Sequence, residues 1–507
     1  MRRNRFLVFV FLPTVAVFVI AFWIRGILLL DPDFGWHLRM GELILQKGIP
    51  QTDPFSYTMP SYPFVDHEWL TNIALARLYP LVYTEGLTLI FAILSTLAIL
   101  IQLRFPIKKW SFVPFAFVAG SLLSFVGVRT QVITWIFFSI LLFLMLHKKT
   151  QKLRFLLPLL FILWANLHGG FGIGVITLFV VTVVRIWEQR KILFEKISIL
   201  ILCFVATLIN PYGIRLWWEL WMQISDTSLR WSISEWRPAV FIFNFTLWSF
   251  VSLSSFMVVR YRKKFSLSQL VLYFILLIAG LSSIRHMPFW LLLALPMATS
   301  AFAWFAEEAK LYKGGTERLH KAYAILAVGV MLVVIVEAAV NLNGARSLQE
   351  ETFYPKQAVR FLKSHKSCGQ LFSNYGWGGY LIWKLPEKKV FIDGRMPSWR
   401  WEAKLPSESS YVFEEYNKIL GGKIPVKRAI DKYNIDTFLL SIEKKKDVPI
   451  FLKKLQEALE RLLNRQSDGY GKFIKQFKDK GIVQIYKDDT AVIYRDKKHS
   501  TQCVNPI

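Results

Sequence analysis

Acidic and histidine side chains are concentrated in the stretch that follows the first apolar run of this 507-residue sequence. The stretch begins Asp31-Pro32-Asp33-Phe34-Gly35-Trp36-His37, continues to Asp53-Pro54, and ends Asp66-His67-Glu68-Trp69. Carboxylates and imidazoles at suitable pKa values act as general acids and bases. Together with arginines, such residues are suited to acid/base chemistry on a phosphorylated substrate.

Further polar residues stand where later apolar runs end. They are Arg129 with Gln131, Asn166 with His168, Asn210-Pro211-Tyr212-Gly213, Glu235-Trp236-Arg237, and Arg285-His286. A charged side chain inside a membrane costs roughly 2.5–3.5 kcal/mol on insertion scales, so repeated clusters need an explanation. Because these run ends share one predicted face of the membrane, we expect carboxylates, histidines and arginines to converge there.

Each of these residues also has a structural explanation when it is taken alone. Asp31 can terminate a helix, Asp53-Pro54 can form a turn, and Arg129 or Arg285 can extend toward the head groups. Glu337, alone in the last apolar run, is expected to be a hydrogen-bonded side chain rather than a proton relay. The joint occurrence on one face favours the functional hypothesis.

Composition places the chain in a membrane. Hydrophobic residues make up 54% of it, aromatic residues 16% and charged residues only 19%, which is too apolar for an ordinary soluble protein. The net charge of +27 would suggest nucleic acid in a soluble protein, but many basic residues lie in short connections between apolar runs, so no nucleic-acid partner is predicted. Three cysteines exclude a disulfide framework or a Cys-rich zinc site, and whether Cys368 pairs with Cys503 stays open.

The elements that must position these residues are about eleven transmembrane helices. Apolar runs lie near residues 6–29, 86–103, 111–128, 132–146, 156–168, 171–187, 197–210, 241–259, 267–284, 287–304 and 322–341. Alternate connections are rich in lysine and arginine, which predicts a cytoplasmic N-terminus and an extracytoplasmic first outer loop, residues 30–85. Residues 1–341 are therefore predicted to form the membrane domain.

Residues 342–507 have a mixed pattern that predicts an extracytoplasmic α/β domain. A helix is expected from Pro355 to Lys363, and a second helix from Pro449 to Asn464. Strand-like runs lie at Gly379–Trp383 and Lys389–Ile392, a helix and strand are expected within Val426–Leu440, and Ile482–Tyr486 should pair with Ala491–Tyr494. The excess of lysine predicts a surface that faces anionic membrane lipids.

The chain resembles bacterial multi-pass membrane glycosyltransferases of the C-type superfamily, in particular those that depend on polyprenyl-phosphate sugars. The resemblance is carried by the outer-loop residues between Asp31 and Trp69, by Gly48-Ile49-Pro50, Phe55-Ser56-Tyr57-Thr58, Trp164-Ala165-Asn166-Leu167-His168-Gly169, Asn374-Tyr375-Gly376-Trp377-Gly378-Gly379-Tyr380 and Phe391-Ile392-Asp393-Gly394-Arg395, and by the Asn210, Glu235 and Arg285 motifs. It covers nearly the whole chain.

The resemblance implies transfer of a sugar, with inversion, from a polyprenyl-phosphate carrier to an extracytoplasmic lipid, glycan or protein acceptor. In such enzymes the catalytic carboxylate follows the first span, so Asp33 is the preferred general base and Asp31 the second choice. Asp66 and Glu68 are reserve candidates. The protein would reside in the inner cell membrane.

The departing lipid phosphate needs compensating charge, and arginine engages phosphate oxygens bidentately. The candidates are Arg129, Arg237 and Arg285, with His37, His67, His168 and His286 as hydrogen-bond donors. No cofactor is certain; a divalent cation is a further hypothesis, with Asp33, His37 and Glu68 as candidate ligands.

Two hypotheses from other classes remain. A transporter or flippase of lipid-linked sugars would share the spans and outer arginines without requiring Asp33. A non-enzymatic envelope assembly protein would depend on residues 342–507 and tolerate changes at Asp33. Replacing Asp33 and deleting residues 342–507 would distinguish these hypotheses.

Overall fold

A computed structural model of the chain describes residues 6–103, 107, 109–242, 244–312, 314–442 and 469–496. Its contacts define two compact units. The helical unit comprises Met1–Asp31 and Val65–Ser347, and the mixed unit comprises Pro32–Phe64 and Leu348–Ile507.

This division differs from the predicted one in the first outer loop. The prediction assigns all of residues 30–85 to the membrane domain, whereas residues 32–64 share their contacts with the C-terminal residues. The reason is a set of bonds that join the two segments. Asp53 pairs with Arg395, and the Ser61 amide and hydroxyl donate to the Glu408 carboxylate at 2.8 and 2.7 Å.

The helical unit is built from apolar helices at the predicted positions. They are Leu12–Leu28, Trp69–Gln102, Phe112–Leu122, Gln131–Leu146, Leu157–Leu167, Phe171–Gln189, Phe194–Ala206, Phe245–Arg260, Leu267–Ser282, Met287–Ala309 and Gly315–Ala345. Shorter helices, Arg215–Ser225 and Leu229–Ser232, lie between them. The mostly helical character of this unit is thus confirmed, but the predicted count of about eleven transmembrane helices is not.

Five helices of the described residues are long and apolar enough to cross a membrane: Leu7–Leu28, Trp69–Gln102, Phe171–Gln189, Ile284–Ala309 and Gly315–Leu348. The most apolar window of Ile284–Ala309 is 67% buried, whereas only 11% of that of Gly315–Leu348 is buried. Water does not tolerate such extended apolar surfaces, and lipid does. The helical unit is therefore that of a polytopic membrane protein.

Two local features determine where helices of this unit bend and end. The long helix Trp69–Gln102 has Pro80 in its interior and changes direction at Tyr83, whose φ is 52°. The helix Leu157–Leu167 ends because His168 adopts an extended conformation. Gly170 then packs so closely that a Cβ there would overlap the Thr134 hydroxyl. Only glycine fits this approach, which holds His168 beside Thr134.

The mixed unit contains a four-stranded sheet in the order β1-β2-β4-β3. The strands are β1 (Gln370–Ser373), β2 (Ile435–Ser441), β3 (Ile482–Lys487) and β4 (Ala491–Asp496). β1 pairs with β2 in parallel, and β4 is antiparallel to both β2 and β3. The predicted pairing of Ile482–Tyr486 with Ala491–Tyr494 is confirmed, as is the helix and strand within Val426–Leu440.

Helices of the mixed unit are Phe34–Lys47, Lys356–Ser364, Gly378–Lys384, Val412–Leu420, Val426–Tyr433 and Gly469–Asp479. The prediction of a helix from Pro355 is confirmed. The predicted helix Pro449–Asn464 and Cys503 lie outside the described residues.

Two strand predictions were wrong. Gly379–Trp383 is helical, and near Lys389–Ile392 there is only an isolated bridge between Ser56 and Val390 among the described residues. Packing explains the helix. A Cβ on Gly35 would overlap the Gly379 carbonyl oxygen, so the helix holding Gly379 packs against Phe34–Lys47 at backbone distance. Such packing overrides the strand propensity of Tyr-Leu-Ile-Trp.

Candidate functional site

Asp33 stands at the start of the helix Phe34–Lys47 in the mixed unit and is half-buried. Its carboxylate Oδ1 accepts a hydrogen bond from the Trp36 indole N–H at 3.0 Å, and it does not cap its own helix. A helix N-terminus carries partial positive charge and favours the ionised form of a nearby carboxylate. The Trp36 indole therefore orients the Asp33 carboxyl group at the start of this helix.

Gly394 completes the surroundings of Asp33. A Cβ at this position would overlap Asp33 Oδ1, so no other residue fits without displacing the carboxylate. Gly394 belongs to the Asp393-Gly394-Arg395 run that contributes to the family resemblance. Its place beside Asp33 has no signal in the sequence because more than 350 residues separate the two.

A buried charge network neighbours these residues in sequence. Arg395 donates through Nε and Nη2 to the two carboxylate oxygens of Asp393, at 2.8 and 2.7 Å. Its Nη1 lies 2.9 Å from Asp53 Oδ1. The Arg395 side chain is 3% exposed and both carboxylates are fully buried. The Asp53 carboxylate also accepts the Phe55 and Ser56 amides at 3.2 and 2.9 Å.

This network is structural. Burial alone would lower the pKa of Arg395, but the carboxylates of Asp393 and Asp53 outweigh burial and raise it, so the guanidinium stays charged. The rings of Trp36, Phe55, Phe64 and Trp399 lie 5.1–5.8 Å from its guanidinium carbon. A guanidinium enclosed in this way has no exposed surface that could contact an acceptor substrate.

In the helical unit, Arg129 bridges two carboxylates. Its Nε lies 2.7 Å from Asp31 Oδ2, and its Nη1 lies 2.7 Å from Glu235 Oε1. Burial raises the pKa of Glu235, but the charges of Arg129 and Arg285 outweigh burial and lower it. Two donors of Arg129 are thus engaged by carboxylates of the protein itself, one of them Asp31.

Arg285 differs from Arg129. Its guanidinium carbon lies 5.3 Å from the centre of the Trp236 ring, a distance that permits cation–π attraction. Among the described residues, neither Arg285 nor Arg237 has a hydrogen bond or ion pair from its guanidinium. His286 packs edge-on against Trp236 with the ring centres 6.2 Å apart. Arg285 therefore has most of its donors available for an anion.

A second cluster of the helical unit joins Glu68 to two histidines. Glu68 Oε1 lies 3.4 Å from His67 Nε2 and 3.2 Å from His168 Nε2. His168 Nδ1 accepts the Gly170 amide at 2.8 Å and lies 2.8 Å from the Thr134 hydroxyl. Since Nδ1 accepts a backbone N–H, it carries no proton. His168 is consequently neutral, and its Nε2–H donates to Glu68.

The hydrogen-bond chain extends further from His168. The Trp164 indole N–H donates to Thr134 Oγ1 at 3.0 Å, which leaves the Thr134 hydroxyl proton directed at His168 Nδ1. Sequence reasoning missed Thr134, because a single threonine inside an apolar run carries no signal. Trp164 was visible only as part of a longer motif.

Of the two histidines, His67 has carboxylates around it that shift its pKa. Burial lowers the pKa of His67, but its hydrogen bond to Glu68 and the charges of Glu68, Glu219 and Asp66 outweigh burial and raise it. Asp66 is buried and accepts from the Asn72 amide at 2.8 Å. Burial is the largest influence on Asp66 and raises its pKa. The pKa values of His67 and Asp66 thus both lie above their ordinary values.

His67 should therefore make stability depend on pH. A histidine with a raised pKa stabilises the folded state fully below its ordinary value of about 6.5, and this contribution is lost as the pH rises through the raised value. We expect the melting temperature in detergent to fall over that range. His67→Gln should remove this part of the slope, whereas His365→Gln, at an exposed position, should retain it. An equal slope in wild type and His67→Gln would contradict the assignment.

The candidate metal ligands do not come together in one unit. Asp33 and His37 belong to the mixed unit and Glu68 to the helical unit, and the His37 ring packs against Trp36 with centres 3.7 Å apart. No group of three or more His, Cys, Asp or Glu residues that could hold a metal ion is found within the described part of the chain. A cation held by Asp33, His37 and Glu68 stays a prediction, and no step of the proposed reaction depends on a metal ion.

Fold and clusters together define a polytopic, mostly helical membrane protein with a smaller α/β unit and ionisable clusters in both units. No family model matches the chain, and no curated protein matches it. Among solved structures it is similar to the crystal structure of the Archaeoglobus fulgidus oligosaccharyltransferase in complex with Zn and sulfate.

That similarity has a TM-score of 0.47 and 13% sequence identity, and it covers 95% of this chain and 73% of the other. A likeness at this level carries no argument about function, and the function of this chain must be inferred from its own residues.

Proposed function

We propose that this protein is a membrane glycosyltransferase that moves a sugar from a polyprenyl-phosphate carrier to an extracytoplasmic hydroxyl acceptor, with inversion. Asp33 acts as the general base and Arg285 as the principal contact of the lipid phosphate. The resemblance of the sequence supports the class. The observation that carries the proposal is Arg285, a cation over Trp236 without an ion-paired carboxylate among the described residues.

The proposed reaction balances with a carboxylate as the base and a cation at the leaving phosphate. The Asp33 carboxylate takes the acceptor's hydroxyl proton as the hydroxyl oxygen forms its bond to the anomeric carbon. The bond between that carbon and the phosphate oxygen breaks, and the lipid phosphate leaves with the electron pair. Arginine stabilises the charge that develops on the leaving phosphate. Attack opposite to the leaving group inverts the anomeric carbon.

Charged residues within the apolar helices support a transferase over a transporter. Glu337 accepts the backbone amides of Phe245 and Thr246, the latter at 3.0 Å, so it caps the helix Phe245–Arg260. Arg25 donates to the backbone carbonyls of Val126 and Ser124. Ionisable residues of a transport pathway would line a cavity at mid-depth, whereas these two satisfy backbone groups.

The phosphate role predicts the effect of Arg285→Gln. A hydrogen bond to a charged group contributes about 1.5–3 kcal/mol, so kcat/KM for the lipid-linked sugar should fall roughly ten- to a hundredfold. Release of lipid phosphate from purified polyprenyl-phosphate sugars in proteoliposomes measures it. Arg215→Gln, which removes an exposed arginine, is the matched control.

Two results would reject the proposal. One is an Arg285→Gln protein that is as active as the control. The other is a wild type that releases no lipid phosphate from any donor and yet moves carriers across the membrane, which would establish the transporter.

A further inference from the structure

Four cations meet at one end of the helical unit, away in sequence from Asp33, Glu68 and Arg285. They are Arg154, Arg185, Lys191 and Lys196, which we call the four-cation cluster. Arg154 lies in the turn before the helix Leu157–Leu167, Arg185 near the end of Phe171–Gln189, and Lys196 in the first turn of Phe194–Ala206. Three separate elements therefore bring like charges together.

The two arginines share one acceptor. Arg154 Nη2 donates to the Met145 carbonyl oxygen at 3.0 Å, and Arg185 Nη2 donates to the same oxygen at 3.1 Å. Their guanidinium groups consequently adjoin one another at the end of the helix Gln131–Leu146. Cations near a helix C-terminus are favourable, and the two lone pairs of one carbonyl oxygen accept both bonds.

Most of the guanidinium donors in the cluster have no acceptor among the described residues. A guanidinium has five N–H donors, and the bond to Met145 is the only one that either arginine side chain makes within the described residues. Both side chains are partly buried. A group with several acceptor oxygens, such as a phosphate, would engage the remaining donors.

The charge balance of the cluster points the same way. The positive charges of Arg185, Arg154 and Lys191 each repel that of Lys196. Two carboxylates, Glu188 and Glu195, attract cations of the cluster electrostatically. Among the described residues, neither carboxylate lies within 4 Å of a cationic nitrogen of the cluster. Four positive charges against two carboxylates that form no ion pair with them leave an uncompensated positive site.

Exposed aromatic residues lie within two positions of three of these cations in the sequence. Phe155, Trp187 and Phe194 are 69%, 58% and 75% exposed, and Arg190 lies over the Trp187 ring at 5.3 Å. Aromatic rings of this kind sit at the head-group level of membranes. The cluster and its rings therefore match a ligand with an anionic head and apolar chains.

We propose that the four-cation cluster is a binding site for the phosphate of an anionic glycerophospholipid, with the acyl chains against the neighbouring exposed rings. Basic pockets between membrane helices bind such head groups through several charge-assisted hydrogen bonds. The site is independent of the transferase reaction.

The test uses the full-length protein, delipidated in detergent and titrated with phosphatidylglycerol or phosphatidylcholine. Phosphatidylglycerol should bind and raise the melting temperature, and phosphatidylcholine should do so much less. The double variant Arg154→Gln/Arg185→Gln should bind phosphatidylglycerol at least about tenfold more weakly. Because both arginines also bond Met145, Lys196→Gln serves as a second variant, one that removes a charge without removing a bond to Met145.

A charge-matched double variant, Arg262→Gln/Lys263→Gln, removes two exposed cations from another connection and should bind as the wild type does. Equal weakening in this control would show general electrostatic attraction and overturn the site. Unchanged binding in both Arg154→Gln/Arg185→Gln and Lys196→Gln would also overturn it. If inorganic phosphate stabilises the protein as much as phosphatidylglycerol does, the ligand of the site is a free anion and the lipid proposal is overturned.

Discussion

Asp33→Asn should lower turnover by about 10² to 10⁴, because the amide cannot accept the proton of the attacking hydroxyl. The substitution is nearly isosteric, and the Trp36 indole N–H can still donate to the amide oxygen that replaces Oδ1. We therefore expect the fold and the apparent affinity for the lipid-linked sugar to be retained. Initial rates of lipid phosphate release measure kcat, and binding of the carrier measures affinity.

The control for this variant is Asp431→Asn, which neutralises an exposed aspartate of the same unit and should leave turnover unchanged. Gly394→Ala offers a second approach, because its Cβ would collide with Asp33 Oδ1 and should reduce turnover without removing any charge. An Asp33→Asn protein with the turnover of Asp431→Asn would exclude Asp33 as the base and leave Asp31, Asp66 and Glu68 as the carboxylates to replace.

The helices of the membrane unit could be predicted because their signal is local. Continuous apolar runs such as Phe171–Gln189 are visible in the sequence, and their ends carry the polar residues that the clusters contain. The number of crossings could not be predicted in the same way. Helices such as Leu157–Leu167 have 11 residues, too few by themselves for a hydrocarbon core of about 30 Å.

The partners of each charge could not be predicted. Arg129 is a reasonable phosphate ligand by residue type, yet Asp31 and Glu235 already occupy its donors. One of these carboxylates lies about a hundred residues before Arg129 in the chain, and the other about a hundred residues after it. Which of Arg129, Arg237 and Arg285 remains available for a phosphate depends on where helix ends meet. Residue type therefore indicates a class of chemistry, and three-dimensional pairing decides which side chain remains available for it.

The difference between the two histidines also depends on three-dimensional pairing. His67 and His168 look equivalent in the sequence, since each lies beside a helix end. The Gly170 amide fixes His168 as neutral, whereas the surrounding carboxylates favour a charged His67 by raising its pKa. The difference depends on a backbone N–H that only the close glycine turn can present, and no side-chain pattern encodes it.

Arg395→Met is expected to have the largest effect on stability. It leaves Asp53 and Asp393 fully buried without their cation, and an uncompensated buried charge costs about 3–5 kcal/mol. The mixed unit should lose its attachment of residues 53–56 to residues 393–395. We expect a lower melting temperature in detergent and faster proteolysis within residues 32–64.

A compensated variant separates lost charge balance from lost packing. In Asp53→Asn/Asp393→Asn/Arg395→Gln no charge remains to be buried, so much of the stability should return even though the bidentate pair is absent. If the triple variant instead unfolds as readily as Arg395→Met, residues 53–56 are held by the aromatic packing around the guanidinium, whose rings lie at 5.1–5.8 Å. If Arg395→Met melts as the wild type does, the network does not stabilise the mixed unit, and Asp33 must be positioned by Trp36 and the helix Phe34–Lys47 alone.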